Sequence, residues 1–102
     1  MAKFELHVYD TESEEVKKTL QRNIIPVSLF IKYQMFSEKL TKNKITNDID
    51  MFSALKDLYL ETFPALTADE YMNNTDVAEV LTMFRDILVK ATQISTGKGK
   101  NA

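Results

Sequence analysis

The chain contains no cysteine and no tryptophan, and both of its glycines, Gly97 and Gly99, fall within the last six of its 102 residues. Lack of cysteine excludes disulfides and thiolate metal centres. Lack of glycine before position 97 excludes a phosphate-cradling loop, a dinucleotide turn and a G-x-S-x-G nucleophile elbow. Each of these needs backbone at positive φ or close against a ligand. Apolar runs are short: Leu29-Phe30-Ile31 is as long as any, far too short to cross a bilayer. The N-terminus, Met1-Ala2-Lys3-Phe4-Glu5, turns acidic too early for a secretory signal. Histidine is scarce as well. His7 is the only one; it shares a strand face with Glu5, and no nucleophile accompanies the pair.

What is present is a core. Hydrophobic residues make up 44% of the chain, with six phenylalanines and four tyrosines, enough for one domain of this length without staples. Residues 1–96 are expected to form a single compact domain, and 97–102 a flexible basic tail. Charge is uneven along the chain. Residues 1–45 carry eight Lys/Arg against six Asp/Glu, whereas residues 46–96 carry three against nine. The acidic second half repels nucleic acid and suits either a basic partner or head-to-tail self-association.

Alternation in Lys3-Phe4-Glu5-Leu6-His7-Val8-Tyr9 predicts a half-buried strand with Phe4, Leu6 and Val8 inward. A polar turn follows, and Glu15–Arg22 reads as a second strand, with one or two helical turns as the alternative. Val16 and Leu20 are placed in register. Pro26 then opens a helix to about Lys42. Its core face is Leu29, Tyr33, Phe36 and Leu40, while Ile31 and Met35 form an i, i+4 pair on the far side with Phe30 on one flank. A helix apolar on two faces is either central in its domain or bound to something outside it.

Thr46 or Asn47 is placed to cap a second helix ending near Phe63, with Asp48 and Asp50 in its first turn. Asp48-Ile49-Asp50 lacks the central glycine and closing glutamate of a calcium loop. Thr67-Ala68-Asp69-Glu70 is a capping box for a short helix that Asn73-Asn74 should stop. Asp76 and Glu79 read as a second capping pair for a last helix to about Thr96, with Gly97 as its C-cap. Val77, Val80, Leu81, Phe84, Leu88 and Ala91 are its expected core face. The fold class is therefore α+β, predominantly helical, an N-terminal β-hairpin followed by three to four helices. No catalytic, metal or cofactor site is expected. The last two helices superficially suggest a DNA-binding pair, but the second offers only Arg85, Lys90 and Gln93 against Asp76, Glu79 and Asp86.

The order of elements resembles the small tail assembly chaperones of siphophages and related prophages of Gram-positive bacteria. The residues that carry this are the strand Phe4-Glu5-Leu6-His7-Val8-Tyr9-Asp10, the Ile25-Pro26 step into a helix, and Leu66-Thr67-Ala68-Asp69-Glu70-Tyr71 before a closing helix. The resemblance covers most of residues 1–96 as a pattern without an invariant motif. It implies a non-enzymatic protein that binds the tape measure protein in the host cytoplasm, helps recruit tail-tube subunits, self-associates and is absent from the finished virion. No membrane or nucleic acid is implied. The family has no motif from which a site residue transfers, so the partner-binding candidates, Phe30, Ile31 and Met35, come from the spare helix face. The family also makes a longer form by frameshifting near the end of the short protein. Gly99-Lys100-Asn101 permits such a slippery run, and the tail reads either as that junction or as an ordinary terminus. The alternative function is a small regulatory or toxin-neutralising module of a mobile element.

Overall fold

A computed structural model describes residues 3–101, with side chains described through Ala91. The elements run β1 (Phe4–Asp10), β2 (Glu15–Arg22), α1 (Val27–Thr41), α2 (Asp48–Thr62), α3 (Ala68–Asn74) and α4 (Val77–Asn101). The fold is α+β and mainly helical: a two-stranded antiparallel hairpin followed by four helices. Phe4, Leu6 and Val8 of β1 and Leu20 of β2 point inward and are buried. α4 packs against β1 and α1, α2 against α1 and α3, and α3 also reaches β1.

The hairpin register corrects one expectation. Val8 pairs with Lys18 but Tyr9 pairs with Val16, so Lys17 has no counterpart on β1. This bulge shifts Val16 off the inward face of Leu20 and leaves it half-exposed. The turn needs a left-handed residue and, without glycine, uses Glu14 at φ 62°. The Asp10 carboxylate steadies it by accepting from the Glu12 amide at 2.9 Å.

The second left-handed residue is Asn43, at φ 58°, beyond α1. Its amide bonds to the Leu40 carbonyl at 3.2 Å and that of Lys44 to Lys39 at 2.8 Å. This is a Schellman ending, with asparagine in the place glycine usually takes. At the start of α2, the Asn47 side chain accepts from the Asp50 amide at 2.9 Å. Both halves of the Thr67–Glu70 capping box are formed at α3.

Four tyrosine and threonine hydroxyls tie the helices together inside the core. Tyr33 Oη meets Thr62 Oγ1 at 2.6 Å, and Thr62 in turn donates to the Leu58 carbonyl at 2.7 Å. Tyr59 Oη donates to the Val80 carbonyl, and Tyr71 Oη to that of Phe52 at 2.9 Å. Burial pushes the Tyr71 hydroxyl up to about 12, and those of Tyr33 and Tyr59 upward as well, so all three stay protonated donors.

Of the expected α4 core face, Val80 is buried and Phe84, Leu88 and Ala91 pack against the core, whereas Val77 and Leu81 are exposed; among the described residues Met83 and Ile87 are buried as well. The expected C-cap at Gly97 lies outside the fully described residues. Side chains from position 92 on lie outside the described residues, and so does the expected flexible basic tail at 97–102 as a side-chain surface.

Candidate functional site

Two apolar surfaces stand out against a core in which no described buried side-chain polar atom lacks a hydrogen bond. The first lies on α1. Leu29, Tyr33 and Phe36 take its inner face, which turns Val27, Ile31 and Met35 outward in a single i, i+4, i+8 row. Ile31 is 50% and Met35 55% exposed, with Ile24 exposed just before the helix. Of the three expected partner-binding residues, Ile31 and Met35 are thus on the surface, and Phe30 is half-buried beside them. Lysines border this row. Lys32 bonds to Glu61 at 2.9 Å, while Lys39, Lys42 and Lys44 surround a shallow hollow next to Met35.

The second surface is a groove of about 340 Å³ between the start of α2, the second half of α3 and the start of α4. Ile49, Phe52, Met72, Val77 and Val80 form most of its wall. Ile49 is 78%, Met72 61% and Val77 57% exposed. Asp48 is the one ionisable side chain in the lining apart from the Tyr71 phenol, whose hydroxyl is already bonded to Phe52.

A polar cluster joins the hairpin to α4. Glu79 Oε1 accepts from the His7 amide at 2.8 Å and lies 3.1 Å from His7 Nδ1, and Oε2 accepts from Tyr9 Oη at 2.5 Å. Because an ionised carboxylate only accepts, Nδ1 is the protonated ring nitrogen. His7 Nε2 sits 3.6 Å from Glu5, so the ring lies between two carboxylates. Burial works to raise the Glu79 carboxyl, but the bonds from Tyr9 and from the backbone and ring of His7 outweigh it and hold the group below the usual range. The bond to Glu79 pushes the Tyr9 hydroxyl up to about 12. Asn74 adds a bond from Nδ2 to the Tyr9 carbonyl at 2.8 Å. His7 is therefore tied to α4 as well as facing Glu5, and Glu79 does not form the expected capping pair with Asp76. Glu79 Oε1 at the His7 amide and Asn74 Nδ2 at the Tyr9 carbonyl cover backbone groups on the outer edge of β1.

Chemically, this cluster is a clasp. Its acceptors and donors face one another, and a neighbouring hollow of about 450 Å³ is lined by Tyr9, Asn74, Asp76 and other polar residues of the same junction. No group of three His, Asp or Glu side chains is arranged to hold a metal among the described residues. No described helix is long and apolar enough to cross a membrane.

Compared with family models, curated proteins and solved structures, the chain finds no match in any of the three. The surfaces must speak for themselves.

The groove escaped the sequence reading. Periodicity puts Val77 on the core face of the last helix, and Ile49 sits at the centre of an acidic triplet. The one available signal was an apolar residue beside a helix start at both Ile49 and Val77, where solvent-facing polar residues are usual.

Proposed function

We propose that this chain is a non-enzymatic tail assembly chaperone of a siphophage or related prophage, which binds the tape measure protein in the host cytoplasm and assists addition of tail-tube subunits. The likeness in element order from Phe4 to the closing helix supports this reading. The observation that carries it is the row Val27, Ile31 and Met35, left bare on a helix whose opposite face already fills the core. Apolar area of this kind contributes roughly 25 cal/mol per Å² when a partner covers it. Methionine suits a surface that must adapt to a long, repetitive helical partner.

Co-expression with the tape measure protein tests the proposal. The chain should raise that protein's soluble yield several-fold, and Ile31→Glu should abolish the gain while leaving helical circular dichroism unchanged. An unchanged yield with the wild-type chain sinks the reading. At the gene level, the proposal expects a −1 frame open past codon 102.

The imbalance of nine Asp/Glu to three Lys/Arg over residues 46–96 favours a second reading, a regulatory or toxin-neutralising module of a mobile element. It would form a one-to-one complex with a basic partner that weakens steeply with salt.

A further inference from the structure

We infer that the groove between α2, α3 and α4 is a second docking surface, whose occupant is an amphipathic helix of a partner protein with Lys or Arg flanking its apolar row. This goes beyond the chaperone reading, which rests on the α1 row at a different place on the molecule.

Shape favours a helix over other occupants. The groove is walled by helices, so it offers no free strand edge to an extended segment, whose backbone groups would lose water without gaining partners. A helix satisfies its own backbone and presents side chains at i, i+3/i+4 and i+7. A volume of about 340 Å³ admits a few such side chains against Ile49, Phe52, Met72 and Val77. A small polar ligand finds little to hold it, because Tyr71 Oη is engaged by Phe52 and only Asp48, Ser53 and Thr75 add polar side chains.

Charge selects the sign of the partner. The lining holds a carboxylate, Asp48, and no cation. Asp69, one helical turn before Met72, is engaged by Asn73 Nδ2 at 2.8 Å, and Asp76 lines the separate hollow beside Tyr9. The Asp48 side chain has no hydrogen bond or ion pair among the described residues. The nearest cation along α2 is Lys56, a turn beyond Ser53. An unpaired carboxylate at the rim of an apolar floor that holds no cation attracts and orients a helix edged with lysine or arginine.

The test uses the full chain with two synthetic helical peptides, one with a leucine row flanked by lysines, the other with glutamate at every lysine position. The lysine peptide should bind, and binding should weaken at least tenfold for Ile49→Gln/Met72→Gln, weaken with added salt, and persist in Ile31→Glu. Amide shifts in NMR spectra of the wild-type chain should cluster at Ile49, Phe52, Met72 and Val77, a location that needs no substitution. Absence of binding, equal binding of the glutamate peptide, or shifts confined to α1 would overturn the proposal. So would a dimer in sedimentation that Ile49→Gln/Met72→Gln dissociates while the peptide fails to bind, because the groove would then belong to a second copy. Peptide binding at the groove alongside failure of the tape measure co-expression would remove the chaperone reading and leave this one standing.

Discussion

Glu79 and Asp48 stand near the starts of two helices, and they do opposite things. Glu79 turns back onto β1 and meets three donors: the His7 amide, its ring and the Tyr9 hydroxyl. Asp48 faces the rim of an apolar groove and meets none among the described residues. Where the hairpin meets α4, the Glu79 carboxylate is thus matched within the fold. At the groove side, charge and apolar area are both left over. A carboxylate matched internally holds the fold together, whereas one left beside bare hydrophobic surface is free to recognise a partner.

Removing Glu79 should do the most damage. Hydrogen bonds to a charged group contribute about 1.5–3 kcal/mol each, with strong non-additivity, so Glu79→Ala should cost about 2–3 kcal/mol overall. For a domain of this size that lowers the melting temperature by about 10–20 °C, readable by circular dichroism. Acid should have a related, smaller effect. The Glu79 carboxyl is held below its ordinary 4.5, so its contribution is complete above that value and is lost as pH falls through the folded-state value. Urea midpoints taken from about pH 6 down to about pH 3 should therefore drop more steeply for the wild type than for Glu79→Gln. If the two slopes coincide, Glu79 is not the group that matters.

Asp48→Asn sharpens the contrast. It removes only a favourable interaction with the α2 dipole, about 0.3–1 kcal/mol at low salt, and a loss as large as that of Glu79→Ala would erase the distinction. The smallest effect belongs to Lys32→Ala. Its exposed pair with Glu61 should contribute at most about 1 kcal/mol in denaturant titrations.

Local chemistry was legible in the chain. The β1 alternation, the Asn47 cap, the Thr67–Glu70 box and the Pro26 start all follow from rules acting within a few residues, and each is present. Legibility failed where the deciding partner is remote. The α4 apolar residues span a wide arc from Val77 to Ala91, and periodicity alone cannot say which part meets β1 and α1; packing chose Val80, Met83 and Ile87. Val16 was misplaced by a single extra residue, since a bulge inverts every side chain beyond it. Glu79 has the spacing of a capping residue, yet its donors lie on the first strand. The groove draws its walls from three segments that meet only in the folded chain, so no sequence window contains it.

The clasp also carries a timetable. His7 and Glu79 are separated by 72 positions, and the Asn74 bond to Tyr9 spans 65. At about 5–20 residues per second, a ribosome takes roughly 4–14 s to cover that interval. Throughout it, β1 has been made but its outer edge lacks the carboxylate and amide that close it, and two such edges on neighbouring nascent chains can pair. A strand made early in this stretch is completed only when the start of α4, 72 residues later, has followed it out.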